Sequence, residues 1–145
     1  MSFKRGDANE SELVSTSLIE SLITFCNGPS FQETMEAFRK SNEIHFLPLA
    51  EGKTEEHDLK FTQIFNEYQD LCEEQFKIFA HRHNVSVQKI FEDCRDIADD
   101  KFTILFEEHE HKWFLDLIMS WMDYDSFVSN IINDIKQESW NRNRK

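Results

Sequence analysis

Glycine and proline are scarce in this chain, with three Gly and two Pro in 145 residues. The many tight turns of an all-β fold need more than that, so the composition favours helices joined by a few short loops. Gly6, Gly28 and Gly52 stand far apart, which excludes a glycine-rich phosphate loop. Cysteine is equally sparse. Cys26, Cys72 and Cys94 are odd in number, widely spaced and form no CxxC pair. That pattern reads as three reduced, buried thiols, not as a disulfide framework or a zinc site. No apolar run reaches the roughly 18 residues of a membrane span. The opening stretch MSFKRGDANESE has no apolar stretch of a signal peptide, and Ser2 excludes N-myristoylation in this form.

Basic residues are also in short supply: 16 Lys and Arg face 28 Asp and Glu, a net charge of −12. A chain this acidic repels phosphate, so nucleic acid and anionic membranes fit it poorly as partners. The basic tips, Lys4-Arg5 and Arg142, Arg144 and Lys145, read as solvated termini. What the chain does have is apolar side chain: 39% of residues are hydrophobic and fourteen are Phe. That is enough to order one domain with a sizeable core.

The longest signal lies in Lys60–Phe79. Apolar residues at 61, 64, 65, 68, 71, 72, 76 and 79 keep a helical i, i+3, i+4, i+7 stripe over about five turns. Gln63, Asn66, Glu67, Asp70, Glu73 and Glu74 form the wet face. Around this third helix, over about 58–82, the spacing predicts five more. The first runs from Glu10 to Cys26, with Asn9 and Glu12 as a capping box and Leu13, Val14, Leu18, Leu22, Ile23 and Phe25 as its apolar side. Asn27-Gly28-Pro29 stops it, with Asn or Gly available for a left-handed cap. Ser30 and Glu33 suggest a second capping box opening a helix to Asn42, with Phe31, Met35 and Phe38 on one face. Residues 43–57 read as irregular, their apolar half (Ile44, Phe46, Leu47, Leu49) lying as a loop over the core. Ser86 is the expected N-cap of a fourth helix with Ile90, Phe91, Cys94 and either Ile97 or Ala98 as its apolar face. Helical spacing continues through Phe102, Leu105 and Phe106. A fifth helix carries Trp113 to Trp121, and a sixth, with Asp125 as its expected N-cap, carries Phe127, Val128, Ile131, Ile132 and Ile135. By this reading residues 1–9 are disordered, 10–140 form the helical domain and 141–145 are a short basic tail.

Catalytic and metal chemistry find little support. One Glu-x-x-His pair, Glu108 and His111, sits in the charged run EEHEHK and reads as a solvated helix face; a di-iron bundle needs two such motifs. There is no HExxH, no GxSxG and no Cys/His zinc spacing. No cysteine stands in an electropositive setting that would favour a thiolate. The segment Trp113–Met122 is different. It is apolar around most of its circumference, so it is either central in the bundle or shared between a core and a groove for an amphipathic helix. Met119 and Met122 suit either role.

Lys60-Phe61-Thr62-Gln63-Ile64-Phe65-Asn66-Glu67-Tyr68 resembles the signature of the BART domain, the binder of ARF-like two. Asn27-Gly28-Pro29-x-Phe31, Phe38, Phe46 and Glu55-Glu56 upstream, and Leu115-Asp116-Leu117-Ile118-Met119, Trp121, Asp123-Tyr124, Phe127 and Ile131-Ile132 downstream, fit the same family. The resemblance spans residues 13–135. It implies an all-α, single-domain bundle of about six helices. It also implies a non-enzymatic effector, without cofactor or metal, that binds a GTP-loaded ARF-like small GTPase. The GTPase's N-terminal amphipathic helix would lie in a hydrophobic groove between the third helix and the C-terminal helices. Carried onto this chain, that groove draws on Phe65, Tyr68 and Cys72, on Phe114, Leu115, Ile118, Met119 and Met122, and on Phe127 and Ile131. The resemblance further implies a monomer that does not insert into membranes, acting in the cytoplasm with the cilium or basal body as a candidate site. Asp93–His111 looks longer than the fourth-helix region of the shortest members. The chain also stops soon after the sixth helix, without the long tail of some ciliary members. Two other readings fit the same apolar chemistry: a scaffold for a helix from a non-GTPase partner, and a homodimer through the fifth helix.

Overall fold

A computed structural model describes residues 16–99 and 111–144. Among these residues there are six helices longer than ten residues and no strand. They are α1 (16–26), α2 (Pro29–Asn42), α3 (Leu59–Arg82), α4 (Val87–Ala98), α5 (Lys112–Met122) and α6 (Tyr124–Arg144). The fold is all-α and single-domain, as the spacing predicts. The expected disorder of residues 1–9, the Asn9–Glu12 capping box with Leu13 and Val14, the helical spacing at Phe102–Phe106, and Glu108 all lie outside the described residues.

Local chemistry sets most helix ends. Asp58 caps α3 by accepting the Lys60 N–H at 3.1 Å, and Ser86 caps α4 by accepting the Lys89 N–H at 3.2 Å. At the other end of α3, Asn84 takes the left-handed conformation at φ 55°. Its N–H bonds the His81 carbonyl, and the Val85 N–H bonds the Ala80 carbonyl, which is the paired closure that ends many helices.

Four expectations are corrected here. The turn at Asn27-Gly28 is not left-handed: Gly28 has φ −74° and serves as the extended residue before α2. Pro29 then opens that helix, where a missing N–H costs nothing, so Ser30 lies inside the first turn and caps nothing. The residue that caps α6 is Asp123, not Asp125. Asp123 is extended and its carboxylate accepts both the N–H and the hydroxyl of Ser126 at 2.9 Å. A single non-helical residue thus reverses the chain between α5 and α6. The apolar half of residues 43–57 is not an irregular loop. Glu43–Phe46 form a 3-10 turn and Leu47–Ala50 one α-turn, closed by Gly52 at φ 74°. The Lys53 N–H bonds the Pro48 carbonyl at 2.9 Å across that closure. Ile44 of this segment points to solvent, while Phe46 is fully buried.

The core is an aromatic cluster strung between α3 and α6. Phe127 of α6 is its hub, with Phe65 at 5.4 Å, Tyr68 at 4.7 Å and Phe46 at 6.1 Å between ring centroids. Phe46 also stacks on Phe61 at 4.4 Å. A second aromatic group joins α3, α4 and α5 through Phe76, Phe91 and Trp121. α5 packs most extensively on α6, and the turn Leu47–Ala50 lies against α6 as well. Three polar ties fix the helix ends. Gln32 donates to the Cys26 carbonyl at 2.7 Å, Gln69 donates to the Trp121 carbonyl at 3.1 Å, and His57 meets the Tyr124 hydroxyl at 2.8 Å. Cys26, Cys72 and Cys94 are free and buried, as expected. Burial pushes the Cys72 thiol up to about 12 and raises the other two, so all three are protonated and inert.

Candidate functional site

A helix apolar on all sides must divide its surface among several neighbours, and α5 does so in three stripes. Phe114, Ile118 and Trp121 face the core. Trp113 and Leu117, with Asp116 and Ser120, turn toward α2. Leu115, Met119 and Met122 lie on the far side of the core stripe, as 100° per residue dictates. Leu115 and Met119 are half-buried and Met122 is exposed.

The stripe facing α2 forms one wall of a groove of about 480 Å³. Phe31, Met35, Phe38 and Arg39 of α2 make the opposite wall. Phe127, Asn130, Ile131 and Asp134 of α6 extend it, and Tyr68 of α3 lies at its floor. The groove exists because α2 meets the α5–α6 hairpin through few large side chains. Phe38 reaches Tyr68 at 5.9 Å between ring centroids, and Arg39 reaches Glu138. Behind the floor Asn130 bonds the Ser120 hydroxyl and, at 3.3 Å, the Asp116 carbonyl, which pins the hairpin.

Of the residues expected to line a groove, the structure brings Tyr68, Phe127 and Ile131 to this one. Cys72, Phe114 and Ile118 sit at zero exposure where α3 and α5 close on each other. Phe65 lies behind Phe127, against Tyr124. Met119 borders a separate shallow depression of about 300 Å³ with Asp125, Ser126 and Ser129. The groove carried over from the family resemblance did not include this α2 wall, nor Trp113 and Leu117. The signal was present: Phe31, Met35 and Phe38 share one face of α2 at i, i+4, i+7.

The groove's electrostatics centre on Arg39, whose side chain is 13% exposed. It binds Glu36 at 2.5 Å, Glu43 at 2.8 Å and Glu138 at 2.5 Å, and the bonds to Glu36 and Glu138 raise its pKa further. The hydrogen bond from Arg39 holds the Glu36 carboxyl below its usual value. Asp134, desolvated against the groove and near Glu36, Glu138 and Glu43, is raised instead, with Arg39 only partly offsetting this. Replacing Arg39 by Met is therefore expected to cost about 1–2 kcal/mol at pH 7, since three carboxylates lose a shared partner. Glu36 is half exposed, so water screens part of the gain. A group with a lowered folded pKa stabilises above its unfolded value and loses that contribution as pH falls through the folded value. The difference between Arg39→Met and the parent should thus shrink on acidification below pH 4.5, measured by urea unfolding at stepped pH. A constant difference would mean that packing of the Arg39 stem, not its charge, holds α2 to α6.

Among the described residues no group of three or more His, Cys, Asp or Glu is placed to hold a metal ion. No described helix is long and apolar enough to cross a membrane. What remains is a recess with an apolar floor, walled by three helices and bordered by carboxylates. The family model of "The ARF-like 2 binding protein BART" matches residues 14–139. The chain belongs to the BART family. The matched span of that BART domain takes in α1 to α5, with the Phe-rich third helix, and α6 as far as residue 139. No curated protein and no solved structure matches the chain. BART is a family of binding domains.

Proposed function

We propose that this BART domain is a non-enzymatic effector of an ARF-like small GTPase in its GTP-bound state. The GTPase's N-terminal amphipathic helix enters the groove between α2 and the α5–α6 hairpin, its apolar side on Tyr68, Phe127 and Ile131. GTP loading frees that helix, and the domain binds it as a monomer in the cytoplasm. The observation that carries this reading is the groove itself. A recess of about 480 Å³ with helical walls and an apolar floor accommodates the side chains of one guest helix face. Each guest Leu or Ile buried there contributes about 1.5–3 kcal/mol. Three or four such anchors outweigh the ordering of the guest only if the walls are preformed, and the Arg39 network and the Asn130–Ser120 bond favour that.

The test is a calorimetric titration with the ARF-like 2 GTPase, loaded in parallel with GDP and with a non-hydrolysable GTP analogue. The expected result is tight binding of the analogue-loaded form, weak binding of the GDP form, and loss of binding when the GTPase's N-terminal helix is deleted. Equal affinity in both nucleotide states would replace this reading with that of a scaffold for a helix from a non-GTPase partner.

A further inference from the structure

The groove lining holds three carboxylates, Glu36, Asp116 and Asp134, against one cation, Arg39. Arg39 is already shared among Glu36, Glu43 and Glu138. The carboxylates of Asp116 and Asp134 have no hydrogen bond or ion pair among the described residues. They stand on different helices, Asp116 on α5 and Asp134 on α6, at the edge of an apolar floor. Nothing in the packing requires either charge. Both are solvent-accessible, and a neutral amide of the same shape would fold as well.

We propose that the groove selects a guest helix whose apolar stripe is bordered by Lys or Arg, with Asp116 and Asp134 as the carboxylates that receive those cations. This deepens the effector reading and rests on it. Charge complementarity decides among occupants. A second copy of this chain carries the same net charge of −12 and is repelled. A fatty acid would bring its carboxylate to a wall of carboxylates. A divalent ion finds no cluster of ligands here among the described residues. A cationic amphipathic helix satisfies the floor and the rim together. Low-dielectric walls beside the two carboxylates focus their field toward the groove mouth, so the largest effect falls on the rate of encounter.

The test uses stopped-flow association with the ARF-like 2 GTPase loaded with a GTP analogue. Wild type is compared with the double variant Asp116→Asn/Asp134→Asn and, separately, with Leu117→Glu, at about 0.05 and about 0.5 M salt. The expected result is an association rate roughly tenfold lower for the double variant at low salt, the gap closing at high salt. Equal rates for wild type and double variant at both salts, with Leu117→Glu still defective, overturn the rim assignment and leave the groove standing. Undiminished binding by Leu117→Glu overturns the groove and the rim together. A second arm uses two synthetic helical peptides with the same Leu stripe, one flanked by Lys and one by Gln. Tighter binding of the Lys peptide to wild type, lost in the double variant, supports the proposal, and equal binding of the two overturns it.

Discussion

Leu117→Glu is expected to reduce binding of the GTP-loaded partner by at least about a hundredfold while leaving the domain folded. Leu117 is half-buried and stands on the groove wall, packed on the core at its base with its remaining surface open to the recess. A Glu there can turn its carboxylate to water in the free protein, so the stability cost stays near about 1 kcal/mol. In the complex that escape is closed. The carboxylate would be covered by the guest's apolar face, near Asp116 and Asp134, and Arg39, the one cation among the described lining residues, is already engaged by Glu36, Glu43 and Glu138. Losing one guest anchor removes about 1.5–3 kcal/mol, and desolvating an unpaired charge adds to it. Together these exceed the roughly 2.8 kcal/mol that a hundredfold change in affinity represents. Circular dichroism and thermal melting check the fold, and calorimetry checks the binding.

Met122→Glu is the informative control. Met122 is 39% exposed and belongs to the α5 stripe beyond the core, away from the α2 groove. It should bind as wild type does. The reverse pattern, with Met122→Glu defective and Leu117→Glu intact, would move the guest helix to the flank of Leu115 and Met119. Ile118 separates neither possibility. It has no exposed surface, so a charge there unfolds the protein before it reports on binding.

The contrast between Leu117 and Ile118 shows where reading by sequence stops. Spacing identifies α5 as a helix with apolar residues on every side, but it cannot rank neighbouring apolar positions. That ranking depends on which helix packs against which face, and α2 is more than seventy residues away in sequence. The helix ends decided by local chemistry were legible. Ser86 has its acceptor and its donor three residues apart, and the long stripe from Phe61 to Phe79 needs no partner to be recognised as one face. Asp123 and Asp125 are chemically identical candidates for one cap. The choice between them follows from the one-residue reversal that lets α5 and α6 lie side by side, a tertiary requirement. The same limit hid the α2 wall. Phe31, Met35 and Phe38 are visible as a face, but a face against the core and a face along a groove have the same period. The Arg39 cluster was hidden for a related reason: Glu138 lies 99 residues away along the chain.

Phe46→Ala is expected to be the most destabilising single change, costing about 3–5 kcal/mol. Phe46 has no exposed surface, although it sits in a short segment between helices rather than in one of the six. Its ring stacks on Phe61 of α3 and meets the edge of Phe127 of α6, so it fills the space between them. Truncation removes the transfer free energy of the ring and leaves a cavity among aromatic side chains too rigid to close it. Urea unfolding should show a lower midpoint at unchanged slope, since the fold still buries the same surface. Phe46→Leu keeps most of the volume and should recover more than half of the loss. Ile44→Ala, two residues earlier and 64% exposed, should stay within about 0.5 kcal/mol of wild type. Phe127 also packs on Tyr68, the groove floor, so the cavity lies one ring away from the binding surface. Phe46→Ala should therefore weaken guest binding beyond what the unfolded fraction explains, whereas a destabilising change remote from Phe127, such as Ile90→Val in α4, should not. If both variants lower affinity only in proportion to the unfolded fraction, the segment from Glu43 to Ala50 supports the fold alone and has no part in shaping the groove.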